Sequence, residues 1–179
     1  MIVIKIGGSL FASGVDGIVR DLASIVAKDA KFVAVHGGAA EVSAMSDKLG
    51  KKPVFIVSPS GVRSRYTDRE TVEIYQMVMA GKLNKDLVAM LEREGVRAIG
   101  LCGLDGMLLR AERKEKLLVI DERGRRRMID GGFTGKPLSV NGDLLRALLR
   151  EGYMPVVAPV ALGEEFEPLN LDSDVAASS

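Results

Sequence analysis

Short apolar runs alternate along the chain with longer amphipathic stretches, the rhythm of βαβ units wrapped around a buried parallel sheet. Residues 2–6 read as a first strand ending at Gly7-Gly8-Ser9, and residues 15–27 as a helix with Ile18, Val19, Leu22, Ile25 and Val26 on one face. A second strand over 31–35 ends at His36-Gly37-Gly38; a helix over 39–49 and a short strand over 54–57 follow. The longest predicted helix covers residues 67–94. Thr67 and Glu70 have capping-box spacing, and Val72, Tyr75, Met79, Leu83, Leu87 and Leu91 follow at i+3 and i+4. Gly81 within it costs about 1 kcal/mol relative to Ala, so either a backbone packs closely there or the helix bends. Beyond lie a buried strand over 96–101 and a hairpin with arms at 117–120 and 127–129 around Asp121-Glu122-Arg123-Gly124. A helix over 143–150 and a strand over 155–160 follow. Leu169 to Ala177 reads as a strand turning into a helix capped by Asp172 or Ser173. That last helix is unfinished, so the sequence reads as the front part of something longer.

Composition narrows the function classes. The 179 residues, 47% hydrophobic and 27% charged, suffice for a well-filled core and exclude disorder. A net charge of +1 gives no reason to expect a polyanion as general partner, and 4% aromatics without Trp argue against a nucleic-acid stacking platform. One cysteine, Cys102, cannot form an internal disulfide. No signal peptide and no membrane span are readable, so a reducing, cytoplasmic home and no membrane role are expected.

In an open parallel sheet, ligands bind beyond the carboxyl ends of the strands. Two strands end there in glycine pairs, Gly7-Gly8 and Gly37-Gly38, which let backbone N–H groups approach an anion such as phosphate. Lys5, inside an otherwise apolar strand, would bury an ammonium unless its head reaches a polar site at the strand end. Gly135-Lys136-Pro137 and the spacing of Gly100, Gly103 and Gly106 fit no nucleotide motif. His36, the only histidine, reads as a hydrogen-bonded strand-end residue, and no metal-ligand cluster is apparent. Residues 110–136 hold nine Lys or Arg against five Asp or Glu, including Arg125-Arg126-Arg127, either a solvated hairpin or a docking surface for an acidic protein.

Lys5-Ile6-Gly7-Gly8-Ser9, His36-Gly37-Gly38, Gly61-Val62-Arg63 before Thr67-Asp68, the run from Ala80 to Lys85, and Asn170-Leu171-Asp172-Ser173-Asp174 occur in one order and spacing. In these motifs the chain resembles the amino acid kinase family, acetylglutamate kinase branch, over essentially its whole length. Arg63-Ser64-Arg65-Tyr66-Thr67-Asp68 and Gly131-Gly132-Phe133-Thr134-Gly135-Lys136 look like the kinases acting on 2-aminoadipate or glutamate joined to the acidic carrier protein LysW.

The resemblance implies a three-layer αβα fold with a mainly parallel central sheet, carbamate kinase-like. It implies ATP accompanied by Mg2+, a homodimer built on the 67–94 helix, and an acyl-phosphate product in lysine or arginine biosynthesis. Lys5 and Asp174 would be catalytic, with Lys5, Gly7 and Gly8 at the phosphate and Gly37, Gly38, Arg63 and Asn170 at the amino-acid substrate. The adenine and ribose pocket belongs to a C-terminal lobe that these residues do not include, so the chain by itself is expected to be inactive. Free acetylglutamate kinase, or a non-catalytic dimerising and docking lobe, stand as alternatives.

Overall fold

The computed structural model describes residues 2–28 and 30–179. The chain runs β1 (Ile2–Ile6), α1 (Ser9–Ser13), α2 (Asp16–Val26), β2 (Phe32–His36), α3 (Ala39–Lys48), β3 (Phe55–Val57), β4 (Arg63–Arg65) and α4 (Arg69–Gln76). A π-helical segment, Met77–Leu83, joins α4 to α5 (Asn84–Arg93). Then come β5 (Ala98–Cys102), β6 (Leu109–Arg113), β7 (Lys116–Ile120), β8 (Arg126–Asp130) and β9 (Gly135–Val140). The last elements are α6 (Gly142–Arg150), β10 (Met154–Ala158), β11 (Val160–Leu162), β12 (Pro168–Asn170) and α7 (Ser173–Ser178).

Four strands pair in parallel in the order β1-β2-β10-β5. Side-chain alternation along β2 builds the layers on either side. Phe32 and Ala34 face one way, into a core with Val19 and Leu22 of α2 and Leu87 and Leu91 of α5. Val33 and Val35 face the other, against Leu145 and Leu149 of α6 and Ala176 of α7. The result is the expected three-layer αβα arrangement around a parallel sheet. A second, mixed sheet, β12-β11-β6-β9, adds Leu109, Ala111, Ala161 and Leu169 to that second core. Two hairpins, β3-β4 and β7-β8, stand apart as two-stranded sheets.

Strands β4, β6 and β9 are the elements the apolar pattern does not announce. Their sequences, Arg-Ser-Arg, Leu-Arg-Ala-Glu-Arg and Gly-Lys-Pro-Leu-Ser-Val, carry too few apolar residues in register. Pro137 is tolerated because β9 is an edge strand, and the pairing slips between Arg110 and Ala111. The predicted strand over 155–160 divides at Pro159 into β10 and β11, which enter different sheets.

The long helix departs from its expected form at two places. Its N-cap is Asp68, whose carboxylate accepts the Thr71 N–H at 2.8 Å, whereas Thr67 is fully buried with its hydroxyl turned to Asn170. Burial pushes the Asp68 carboxyl up, but hydrogen bonds from Lys51 and Thr71 outweigh it and hold the group below the usual carboxylate range. In the middle, the helix widens into the π-helical segment, and nothing lies within 4 Å of a side chain added at Gly81. Among the described residues, then, no backbone packs against Gly81, which sits in the widened segment. The apolar stripe is covered within the chain, which removes one argument for the expected homodimer and leaves Met77 and Gly81 on the exposed side.

Asp68→Ala should lower stability by about 1 kcal/mol through loss of the cap. Glu70→Ala, which the capping-box spacing would make equally costly, should change it by less than about half that, because an exposed ion pair to Lys51 contributes little. Urea midpoints of the two variants provide the comparison.

Candidate functional site

The parallel strands β1 and β2 deliver both glycine pairs to one end of the sheet, where their turns touch. A Cβ added to Gly8 would lie 2.6 Å from the Gly38 nitrogen, and one added to Gly37 would lie 2.9 Å from the Gly8 nitrogen. One on Gly38 would collide with the Leu83 side chain. Gly7 is different. The nearest atoms to its added Cβ are Ser9 Oγ at 3.8 Å, Leu10 Cδ1 at 3.9 Å and Lys5 Nζ at 4.0 Å, so packing does not demand glycine there. Three of the four glycines are thus required by the junction itself, and the fourth sits open beside an ammonium group.

That ammonium, Lys5 Nζ, lies 3.0 Å from Asp174 Oδ1, with side chains 32% and 71% exposed. Such exposure makes the pair a weak contributor to stability, so Lys5 is not held at the strand end for folding. Asp172 caps α7, its carboxylate accepting the N–H groups of Asp174 at 2.8 Å and Val175 at 3.1 Å, which turns Asp174 toward β1.

Next to this end of the sheet is a cavity of about 640 Å³. Gly37, Gly38, Arg63 and Asn170, the four residues expected at the substrate, all line it; Lys5, Gly7, Gly8 and Asp174 lie outside its lining, across the glycine junction. Hairpins β3-β4 and β7-β8 contribute Phe55, Ile56 and residues 117–119 to the walls. Arg63 stacks on Phe55 with its guanidinium 3.9 Å from the ring centre.

Arg65 went unnoticed in the sequence, yet it is the better anchored of the two arginines. Its Nη2 donates to the Ala39 carbonyl at 2.7 Å and to Ser43 Oγ at 2.6 Å. Its Nη1 is buried and has no hydrogen-bond partner among the described residues. Burial pushes its guanidinium below its ordinary value, although arginine stays charged at neutral pH. A guanidinium nitrogen is a strong donor to carboxylates. The available signal was the two-residue spacing, which puts Arg63 and Arg65 on one face of a strand.

The lining as a whole is cationic. Arg63, Arg65, Lys114 and Lys136 contribute to it, against one carboxylate, Asp172, already engaged as a cap. At the floor, the Tyr75 hydroxyl, kept protonated by burial, contacts the Pro159 and Leu171 carbonyls at 3.2 Å each.

His36 belongs to the scaffold. Burial pushes its imidazole below the ordinary value, and the neutral ring donates from Nδ1 to the Gly37 carbonyl at 3.0 Å while Nε2 accepts from Asn84 at 3.3 Å. Asn84 also donates to the Val156 carbonyl at 2.9 Å, and Lys85 to the Gly100 carbonyl at 2.9 Å. Among the described residues no group of three or more His, Cys, Asp or Glu is placed to hold a metal ion, and no helix is long and apolar enough to cross a membrane.

The amino acid kinase family model matches residues 1–179. A chain from Cenarchaeum symbiosum, provisionally named for the same activity as the next relative, is 50% identical over 179 residues. A LysW-aminoadipate/LysW-glutamate kinase from Saccharolobus islandicus is 45% identical over 178 residues. The present chain is covered to 100% and 99% in these matches and spans 66% of each relative's length. Among solved structures, smu.665 from Streptococcus mutans superposes with a TM-score of 0.76 at 20% identity, over 98% of this chain and 64% of that one. The N-acetylglutamate synthase of Neisseria gonorrhoeae, complexed with coenzyme A and N-acetyl-glutamate, gives 0.69 at 21%, over 99% and 37%. These two establish likeness of fold.

The glycine junction makes a sharp contrast. Gly8→Ala should destabilise the chain by about 2 kcal/mol or more, since backbone rather than a movable side chain blocks the new methyl group. Gly7→Ala should leave the urea midpoint nearly unchanged.

Proposed function

The chain belongs to the amino acid kinase family, and on that premise we propose that it forms the amino-acid-binding lobe of a LysW-aminoadipate/LysW-glutamate kinase. The reaction would transfer the γ-phosphoryl group of ATP to the side-chain carboxylate of the carrier-bound amino acid and give an acyl phosphate. The observation that carries this reading is the cationic cavity with the buried, unpartnered Arg65 nitrogen, set against the Lys5 end of the sheet. The names of the relatives support it. Nucleotide binding is assigned to the further third of length that those relatives possess.

The chemistry asks little of a protein base. A side-chain carboxylate, with a free pKa of about 4.3, is ionised at neutral pH. One of its oxygens bonds to the γ-phosphorus as the bond from phosphorus to the ADP oxygen breaks, so catalysis is alignment and charge neutralisation. Lys5, beside the open Gly7, would meet the charge on the transferring group, and Asp174 would hold its ammonium in place. Gly37 spends its N–H on the Ile6 carbonyl at 2.9 Å, so of the second glycine pair the Gly38 N–H would be the one offered to the substrate, on the cavity side. Arg65 is the better candidate for the α-carboxylate, with Arg63 outside it over Phe55. Mg2+ would arrive with ATP and offset the charge of its phosphates.

The carrier's docking position shifts from the one the sequence suggested. Arg125 and Arg127 share one carboxylate, Asp121, at 3.1 and 3.0 Å, so the charge of the three consecutive arginines is partly offset within the hairpin. Lys114 and Lys136 lie at the cavity itself, Lys136 with Glu112 3.5 Å away. Four cations exceed what one amino acid's carboxylates require, and an acidic carrier threading its attached residue into the cavity would supply the remaining negative charge.

In the full-length enzyme, Lys5→Ala should lower kcat by about 100-fold or more with little change in KM, while Arg65→Ala should mainly raise KM for the carrier-bound substrate. The reverse pattern would overturn the assignment of roles. The 179-residue chain tested alone should bind the substrate without appreciable ATP turnover.

Reversing Lys114 and Lys136 to Glu should slow carrier association about 10-fold at low salt, more than reversing Arg125 and Arg127. Stopped-flow measurements across a salt series would show it. Preference for free N-acetylglutamate over the carrier-bound substrate would point to acetylglutamate kinase instead.

A further inference from the structure

Three segments far apart in sequence close a hydrogen-bond ring at the cavity wall. The Phe133 N–H donates to the Thr67 carbonyl at 2.7 Å, the Asn170 N–H to the Phe133 carbonyl at 2.8 Å, and Asn170 Nδ2 to Thr67 Oγ1 at 2.9 Å. Thr67 is fully buried, whereas Asn170 lines the cavity. The Gly131-Gly132 pair makes the ring possible. Gly132 has φ +59°, and a Cβ there would collide with the Thr67 carbonyl. Phe133 is flanked by the guanidinium groups of Arg69 and Arg113, 5.1 and 4.5 Å from its ring centre, and Arg113 Nε donates to the Gly132 carbonyl. The loop is thus clamped from both sides, and its clamped product is the orientation of one amide.

The Thr67 hydroxyl hydrogen points to the Arg65 carbonyl at 3.4 Å, leaving its lone pairs for Asn170 Nδ2. A flipped Asn170 amide would have to compete with that carbonyl for the single hydroxyl proton. Asn170 therefore keeps its nitrogen on Thr67, and its Oδ1, for which no hydrogen bond is seen among the described residues, is left as an acceptor.

We propose that Thr67 is a positioning residue for substrate recognition: it fixes the Asn170 amide so that Oδ1 accepts the N–H of the substrate's acylated amino group. This rests on the kinase reading above and extends it to the one polar group that distinguishes an N-acyl substrate from an isosteric ester. Thr67 itself, buried behind Asn170, touches no substrate.

The experiment compares N-acetyl-2-aminoadipate with its ester isostere, 2-acetoxyadipate, as probes in calorimetric titrations of the 179-residue chain and its variants. The wild type should bind the amide about five- to tenfold more tightly than the ester, as expected for one neutral hydrogen bond. Thr67→Val, nearly isosteric but without the hydroxyl, should abolish that preference by weakening the amide alone, and Thr67→Ser should restore it. Equal weakening of both probes, or none, would reduce Thr67 to a structural residue and overturn the proposal. If Thr67→Val fails to fold, the wild-type preference still decides, because its absence removes the acceptor role of Asn170. Failure of the wild type to bind either probe and carrier-linked 2-aminoadipate as well would instead overturn the kinase reading on which the proposal rests.

Discussion

The site depends first on how near two backbones can come. The turns after β1 and β2 touch through Gly8 and Gly37, and Gly38 lies under Leu83. A single methyl group at Gly8 would push the turns apart, because its obstacle is a backbone nitrogen that has no rotamer to change. Everything that meets at this end of the sheet inherits its position from that contact. It places Gly7 and Lys5 on one side and the cavity walls at Gly37 and Gly38 on the other. It also brings Ser173, at the start of α7, within 3.3 Å of a Cβ added at Gly37, and so carries Asp174 to Lys5.

The junction is held from behind by a polar network that an all-apolar interior could not replace. Asn84 and Lys85 donate to the carbonyls of Val156 and Gly100, at the middle of β10 and β5. The end of the π-helical segment and the start of α5 leave both Leu83 and Asn84 buried, Leu83 over Gly38 and Asn84 against His36. Gly81 permits the widening on the exposed side without itself packing against anything.

What could be read in the sequence and what could not divide along a physical line. The parallel sheet announced itself because strands buried on both faces must be nearly continuously apolar, and β2, up to His36, and β10 are; β1, at the edge, is apolar apart from Lys5. The glycine pairs were legible as points of close approach at the strand ends, though not as a contact between the two turns. By contrast β4, β6 and β9 are partly exposed and belong to edges or a small second sheet, so polar residues are permitted there and the pattern disappears. The same reason hid Arg65. An arginine in a short polar strand looks like any solvated arginine until Ala39 and Ser43, 26 and 22 residues away, are seen to hold its guanidinium. Thr67 misled for a related cause. Its spacing to Glu70 suits a cap, but the hydroxyl is drawn off to Asn170, 103 residues distant, and Asp68 takes the cap instead.

Exposure separates the groups that hold the fold from those free to act. The buried polar residues His36, Asn84 and Tyr75 spend their hydrogen bonds on backbone carbonyls and each other, which fixes strand ends and leaves little capacity for a ligand. Lys5 and Asp174 are exposed enough that their ion pair adds little stability, and the hairpin arginines have internal carboxylate partners. Between these extremes stands Arg65, fixed through one nitrogen and buried without a partner through the other. Leaving a desolvated guanidinium nitrogen unpaired costs free energy in the empty chain, and an anionic guest in the cavity recovers it. On the reading proposed above, a substrate carboxylate would be the partner that nitrogen lacks.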